Sequence, residues 1–412
     1  MLQQNVFEDE YTKTPMTLRA EKYPELIKYM GSKSKIITQV VAAIDEIYKG
    51  GVICDLFAGS CSLSGALRNQ APILSNDIQE YSAVLANTYL NSKANQSSHK
   101  TAEELVEIAD KIVNQNLALL SINLSYTSIN TLTEFNKIEK QSQSLINKKF
   151  NYKWSLFTRY YSGTWWSTLQ CAWIDALRQV AEDEKDSGTY YVILSSLMFA
   201  MAYASQGTGH YAQYRDADND KSMFDILIYR NKSLKDIFIR KYNQLCVYLQ
   251  QSLPTYQNIV MAADYKDCLD GLKEATIYAD PPYCFVHYSR FYHAIETLVL
   301  YDFPEIQKIK DIMVKGRYRE NRHQSAFCIK SQVPNAFQEI FKGVAKTKSD
   351  LVLSYSNSGM IPLEGLMAIA KASLGSKYFI KIETLDHKHM TMGRRDDRDR
   401  DVKEAIIIAG RK

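Results

Sequence analysis

The segment Asp280-Pro281-Pro282-Tyr283 combines residue types that suit one kind of chemistry. Two consecutive prolines remove two backbone donors and fix φ at both positions. Carbonyl oxygens there are not consumed by a helix and can face a pocket. The Asp280 carboxylate and the Pro281 carbonyl then supply two acceptors, and the Tyr283 ring supplies a flat face. Such a set suits the exocyclic amine of a nucleobase. The lone pair of an adenine N6 is delocalised into the ring, so the nitrogen is a poor nucleophile. Two acceptors holding both N–H bonds draw it toward a tetrahedral geometry and restore nucleophilicity, with no covalent intermediate. Taken alone, the four residues also fit a proline-rich turn at a strand end.

Four further segments carry compatible chemistry. Asp55-Leu56-Phe57-Ala58-Gly59-Ser60-Cys61 puts small residues after an apolar run, where a ligand can approach the backbone at a helix start. Asn76-Asp77 follows at the distance where an acid accepts hydrogen bonds from ribose hydroxyls. Tyr29-Met30-Gly31-Ser32-Lys33 sets a lysine at a helix start, where the dipole favours anions; the lysine is expected to serve something else, such as a carboxylate ligand. Asp264-Tyr265 closes another apolar run and offers an acceptor and a stacking face. Each of these, alone, is equally a turn, a cap or an exposed lysine.

The elements that must position them form a pattern. Glu25 to Tyr48 has helical periodicity after a Gly-Ser-Lys turn, and Gly50-Gly51 ends it. Val52 to Phe57 predicts a buried strand, Ser62 to Arg68 a helix, and Pro72 to Ile78 a second strand. Strand, helix, strand at this spacing predicts a βαβ unit and a parallel sheet. From about Glu80 to Pro254 the pattern is mostly helical, with a polar patch at 91–100. Strand signals return at Asn258 to Ala263, Ala275 to Ala279, Asp350 to Tyr355, Lys377 to Glu383 and Glu404 to Ala409. The fold class expected is therefore α/β, with residues 20–85 and 255–412 forming one discontinuous catalytic domain. Residues 86–254 are expected to form a helical insertion. The charge-alternating run Arg394 to Glu404 is expected as a solvated hairpin loop between the last two strands.

Composition narrows the class. The chain has 412 residues, with 50 Lys and Arg against 46 Asp and Glu, a net charge of +4. That excludes a histone-like binder but leaves room for a local basic groove. The apolar fraction of 46% excludes general disorder. The seven cysteines form no CxxC pair, and the histidines no HExxH, so reduced thiols, a cytoplasmic setting and no metal are expected. No signal peptide is read at the start. The apolar run Tyr191 to Ala204 has the length of a buried helix, not of a membrane span. All four tryptophans lie between Trp154 and Trp173, with Arg159 and Arg178 nearby; wedges against DNA are one use, and core packing is expected for at least two. The loop Gln206 to Arg215, with His210, Tyr211 and Arg215, is a candidate for base or phosphate contacts. Lys308, Lys310, Lys315, Arg317, Arg319 and Arg322 are a candidate phosphate-contact stripe, and equally an exposed basic helix and loop. Ser354 to Gly359, at another strand end, is a candidate pocket lining or a plain polar turn.

Taken together and in this order, the segments resemble the D12 class of DNA adenine-N6 methyltransferases, the Dam-like α group. The order is the glycine-lysine motif, the Asp-Phe-Gly loop, the ribose-binding acid, an insertion and then DPPY. The resemblance runs from about Glu21 to the C-terminus and is nearest to a subgroup with long insertions. It extends to YYSGTWWSTLQCAWIDALR (Tyr160 to Arg178), ETLVLYDFP (Glu296 to Pro304), GRYRENRHQS (Gly316 to Ser325), LSYSNSG (Leu353 to Gly359) and KEAIIIAG near the end. It implies a Rossmann-like domain that uses S-adenosylmethionine. Lys33, with the backbone of Tyr29, Met30 and Gly31, would contact the methionine part. Asp55, Phe57 and Gly59 would line the cofactor loop; Asp77, with Ile78 beside it, would hold the ribose; Asp264 and Tyr265 would meet the adenine ring. Asp280, Pro281, Pro282 and Tyr283 would hold a target adenine flipped out of double-stranded DNA. The insertion would carry target recognition. Such loops commonly have a second glycine where this chain has Cys61; cysteine is small, and binding is expected to survive. Asp before PPY favours DNA adenine over protein glutamine or cytosine within the related families. A restriction-modification or phage-related setting is implied, with a cognate restriction system as a further partner and no membrane. Three rivals remain: an RNA adenine methyltransferase, a DNA cytosine-N4 methyltransferase, and a non-catalytic DNA binder on the same fold. An intact DPPY and glycine-lysine motif count against the last.

Overall fold

Short apolar runs make the central strands, the first of them bounded by glycine on both sides. A computed structural model describes residues 17–93, 99–120, 122, 124–207, 209–282, 285, 287–356, 359–390 and 399–412, with the backbone alone at 385–390 and 399–403. Before the helical part come α1 (Ile37–Ile47), β1 (Ile53–Asp55), α2 (Ser62–Ala66), β2 (Ile73–Asp77) and α3 (Glu80–Leu90). A short 3-10 turn, Lys33–Lys35, precedes α1. The helical part holds α4 (Ala102–Leu117), α5 (Leu132–Gln143), α6 (Leu156–Tyr161), α7 (Thr168–Asp183), α8 (Tyr190–Ala204), α9 (Asp220–Arg230) and α10 (Leu234–Gln250). The chain then returns through β3 (Ile259–Ala262), α11 (Tyr265–Asp270), β4 (Thr276–Ala279), α12 (Tyr288–Phe291) and α13 (His293–Leu300). It closes with β5 (Lys308–Ile309), β6 (Ile312–Met313), α14 (Val333–Thr347), β7 (Asp350–Ser356), α15 (Leu363–Leu374), β8 (Tyr378–Met390) and β9 (Asp399–Arg411).

Seven strands form one sheet in the order β3-β2-β1-β4-β7-β9-β8. The pairs β1–β2, β1–β4, β2–β3 and β4–β7 are parallel. β9 enters antiparallel between β7 and β8. The inner strands β1, β4 and β7 are buried along their whole length, as parallel strands covered on both faces must be. Chain order reverses between β1 and β4, which opens a crevice at the carboxyl ends of the strands. Register brings Asp55 level with Ser75 of β2 and Tyr278 of β4. Asp77 ends β2, and Asp280 follows Ala279 at the end of β4. Three carboxylates thus meet at one edge of the sheet because each ends a neighbouring parallel strand.

The expected strands all form; β1, β2, β3, β4 and β7 keep within two residues of the expected limits, and β8 and β9 run beyond theirs. One expectation is corrected: residues 399–404 are not loop but the first part of β9, paired in register with β8 as far as Met390. The same pairing extends both strands past the apolar segments that signalled them, since backbone bonds between two antiparallel neighbours do not need apolar side chains. The β5–β6 hairpin was not anticipated either; it turns at Lys310 and Asp311, both at positive φ.

The helical part shares its core with the sheet. One apolar cluster contains Val40 and Ile53 together with Leu105, Trp166, Leu197 and Ile408. Trp165 and Trp166 are fully buried, Trp173 is nearly so, and Trp154 is half-buried. Arg178 lies inside as well, donating to the carbonyl of Leu298 at 3.0 Å and pairing with Glu182 at 2.9 Å. Its work is to tie α7 to the end of α13. Asp175 caps α6 in the same region, accepting from the Phe157 and Thr158 amides at 2.8 Å each. No helix among the described residues is long and apolar enough to cross a membrane.

Candidate active site

A cavity of about 250 Å³ opens at the crevice. Its walls include Tyr29, Gly31, Lys33, Asp55, Phe57, Gly59, Asp77, Ile78, Asp264, Tyr265, Asp280, Pro281 and Pro282. Of the site residues expected from the sequence, Met30 stands just behind the wall, its amide donating to the Tyr292 hydroxyl at 2.7 Å. Tyr283 lies outside the described residues. Among the described residues, none from 353 to 359 lines the cavity. That expectation is corrected: Ser354 is buried with its hydroxyl 3.0 Å from the Tyr278 hydroxyl, because β7 is covered on both faces up to its end.

The loop after β1 is shaped by its close neighbours. Gly59 has φ +50°, and a Cβ there would lie 3.0 Å from the Tyr29 ring. The Gly59 amide donates to Asp77 Oδ2 at 2.9 Å, and the Gln79 amide donates to Asp77 Oδ1 at 2.9 Å. Asn76 reaches back to the carbonyls of Leu56 and Ala263, both at 3.2 Å, and so ties three strand ends together. Cys61, in the position where a second glycine is usual, has φ +57° and heads α2. Its thiol lies 3.3 Å from the Ser82 carbonyl in a fully buried setting. The left-handed backbone explains why glycine suits this position; a small buried cysteine occupies it here.

Lys33 is buried and lies 3.2 Å from Asp280 Oδ1 and 3.1 Å from Glu404 Oε1. The sequence expectation gave this ammonium a ligand carboxylate; the structure gives it two carboxylates of the chain itself. Asp55 is 2% exposed, and among the described residues its Oδ1 is a buried acceptor with no hydrogen-bond partner. Burial first, then the charges of Asp280 and Asp77, hold its carboxyl well above the usual carboxylate range. Burial also raises Asp77, while the amides that it accepts from pull the other way.

Aromatic rings close two sides. Phe57, Tyr265 and Phe327 meet with centroids 5.6 and 5.3 Å apart around Phe57. Phe327 is held from behind by Phe337 of α14 at 5.2 Å. α14 repeats buried residues at Val333, Ala336, Phe337, Ile340, Phe341 and Val344, one helical face, and each large side chain there contributes about 1.5–3 kcal/mol of burial. Opposite, Tyr29 stacks on Tyr292 at 4.6 Å and on Tyr288 at 5.4 Å. Asp264 caps α11 by accepting the Lys266 amide at 2.9 Å while still facing the cavity.

Glu296 of α13 supports this wall from outside. Its two oxygens accept the Glu80 and Tyr81 amides, each at 3.1 Å, at the first turn of α3. Burial pushes its carboxyl up to about 7. Sequence reasoning assigned no role to Tyr288, Tyr292, Phe327, Glu296 or Glu404. Glu296 and Glu404 did fall within the segments ETLVLYDFP and KEAIIIAG, but a resemblance of segments names no contact.

The candidate DNA-contact residues are brought together but differ in exposure. Tyr211 is 2% exposed and packs on Trp166 at 5.2 Å, so its ring is core. His210 meets Phe291 edge-on at 4.6 Å. Arg215 pairs with Asp225 at 2.6 Å and Lys315 with Asp216 at 2.6 Å. Arg319 grips Asp302 through two bonds of 2.7 and 2.5 Å. Arg317 is buried over the Tyr160 ring, and Arg322 reaches Gln307 at 3.4 Å. Ser289 is hydrogen-bonded to the His323 carbonyl, which brings this segment to the cavity mouth.

Three strand-end carboxylates, a glycine loop and a proline pair around one cavity are what a nucleoside-containing cofactor and a flat base would need. A family model described as "D12 class N6 adenine-specific DNA methyltransferase" matches residues 29–357. The chain belongs to this D12 class family. Curated relatives agree with the D12 assignment. The chain is 21% identical over 371 residues to the "Modification methylase LlaI" of Lactococcus lactis subsp. lactis, covering 88% of this chain and 51% of the relative. It is 22% identical over 354 residues to the "Modification methylase StsI" of Streptococcus sanguinis, covering 84% and 46%. It is 24% identical over 346 residues to the "Type II methyltransferase M.NlaIII" of Neisseria lactamica, covering 81% and 85%. The chain thus spans about half the length of the LlaI and StsI methylases.

Proposed function

We propose that the protein is a site-specific DNA methyltransferase that uses S-adenosylmethionine to methylate N6 of an adenine flipped from duplex DNA. The observation that carries this reading is the meeting of Asp280 and Pro281 with Asp55, Asp77 and Gly59 at one cavity. The cavity suits this cofactor: the unpartnered Asp55 Oδ1 and the raised Asp55 carboxyl call for a cationic ligand, and the cofactor carries an ammonium and a sulfonium. When bound, it supplies an electrophilic methyl group. Asp77 would take the ribose hydroxyls, and the ring cluster of Phe57, Tyr265 and Phe327 would offer the adenine an aromatic wall. Gly31 and Gly59 let Tyr288 and Tyr29 approach the backbone, which keeps the methionine end narrow.

For the target base, Asp280 and the Pro281 carbonyl would accept the two N6–H bonds. Lys33, held between Asp280 and Glu404, would fix the aim of the Asp280 carboxylate. No general base of altered pKa is needed for the attack; alignment and acceptor placement are the protein's contribution. Residues 20–85 and 255–412 would form the catalytic part, and residues 86–254 the target-recognition part. The relatives' names support a restriction-modification setting with a cognate restriction system as partner, and a cytoplasmic place would go with that setting.

Replacing Asp280 tests this reading. Asp280→Ala should abolish methyl transfer and leave DNA affinity largely intact, because phosphate contacts dominate affinity. A parallel loss of DNA binding and activity would contradict the role given to Asp280.

A further inference from the structure

A second concavity lies on the helical part, away from the strand ends. It is a groove of about 660 Å³ walled by Phe199 and Tyr203 of α8 and by Lys232, Ser233, Arg240 and Lys241 at and along α10. Its rings hold cations in place. Phe199 and Tyr203 stack at 4.4 Å, with Lys28 3.9 Å over Tyr203 and Lys241 4.4 Å over Phe199. Lys232 donates to the Tyr203 carbonyl at 2.8 Å. Both ring faces are thus occupied, so the groove does not offer a stacking platform; it offers fixed positive charge.

This charge is not neutralised. Among the described residues, no ion pair is found for Lys28, Lys232, Arg240 or Lys241, and Asp236 is the one acid on the groove wall. The contrast with the basic segment at 315–319 is direct, because Lys315 and Arg319 there already hold carboxylates. Burial, then the nearby charge of Lys232, lowers Lys28. Burial alone lowers Lys232 and brings Lys241 down to about 8, with Glu25 opposing at Lys241. An anion in the groove would relieve both effects. Ser233, the N-cap of α10, stands on the groove wall as well.

The groove is linked to the site through the chain. Lys28 immediately precedes Tyr29 of the cavity wall. Tyr203 lies in the last turn of α8, before the loop to His210, whose ring meets Phe291 of α12, the helix whose Tyr288 and Ser289 line the cavity. We propose that the Lys28–Lys232–Arg240–Lys241 groove binds backbone phosphates of the substrate duplex, outside the flipped base, as a second contact surface of the enzyme. This rests on the proposed DNA methyltransferase activity and names a surface that the basic stripe does not include.

The test uses the full chain and a fixed duplex carrying the methylation site. Lys232→Ala with Arg240→Ala removes two charges without touching the buried Lys241, which bonds the Glu25 carbonyl. The slope of log affinity against log salt should become shallower by about 2, since each phosphate contact contributes about 0.9. Cofactor affinity and melting temperature should stay at the parent values. Lys232→Arg with Arg240→Lys should restore the parent slope. A double-alanine slope parallel to the parent overturns the groove proposal. Methyl transfer by the parent is measured alongside: its absence removes the enzymatic reading itself, whereas transfer with an unchanged slope removes the groove alone.

Discussion

The Lys33 ammonium lies 3.2 Å from the Asp280 carboxylate, joining the motif before α1 to the motif after β4. Glu404 on β9 completes the contact from a third part of the chain. Lys33→Met would take the shared ammonium from the buried Glu404 and the part-buried Asp280. Breaking a buried pair in this way costs about 3–5 kcal/mol, so chemical denaturation should show a loss of that order. Misplacing Asp280 should also lower kcat about 100-fold with little change in DNA affinity. Glu404→Gln, which keeps the Lys33–Asp280 contact, should lose much less of both. Equal losses in the two variants would contradict the arrangement.

Asp77 holds the Gly59 and Gln79 amides with its two oxygens. Asp77→Ala should release the loop after β1 and weaken S-adenosylmethionine binding, measured by calorimetry. Each lost charged hydrogen bond is worth about 1.5–3 kcal/mol, so the affinity should fall at least tenfold. DNA affinity should be unchanged. A variant that binds cofactor as the parent does would remove Asp77 from the ribose role.

Two positions with left-handed backbone should respond in opposite ways. Gly59→Ala brings a Cβ to 3.0 Å from Tyr29 at φ +50°. The left-handed conformation alone costs about 1–2 kcal/mol for an L side chain. Melting temperature and cofactor affinity should both drop. Cys61→Gly, at φ +57°, should retain cofactor affinity because glycine adopts that conformation without strain.

Much of the fold was legible because its signals are local. Short apolar runs marked β1, β2 and β4, and the acids at their ends marked the crevice. The rest depended on chain ends meeting far apart in sequence. Glu404 reaches Lys33 across 371 positions, and no local pattern distinguishes it from any acid at a strand start. Phe327 sits on a short 3-10 turn without strand or helix periodicity, so its place in the aromatic wall had no sequence signal. The pairing of the basic stripe was not legible for a related reason. Charge along the chain shows that Lys315 and Arg319 exist, but not that Asp216 and Asp302 already engage them.

Glu296 makes the wall sensitive to pH. Its carboxyl is raised from 4.5 to about 7, so its stabilising contribution is complete below pH 4.5 and is lost as pH rises through about 7. The change is on the order of 3 kcal/mol if all of it appears as stability. Glu296→Gln should start less stable at acid pH, because the amide nitrogen faces a backbone N–H that the carboxyl accepted. The gap to the parent should then narrow between pH 5 and 8. Denaturation midpoints that run parallel across that range would show that Glu296 does not titrate there.

The central claim is that Asp280 and Pro281 present an adenine N6 to a methyl donor. Incubation of the full chain with methyl-labelled S-adenosylmethionine and duplex DNA, followed by digestion to nucleosides, reads the product directly. Label in N6-methyladenine, at one sequence context, is the expected result. Label confined to N4-methylcytosine, or absent from DNA altogether, would contradict the account.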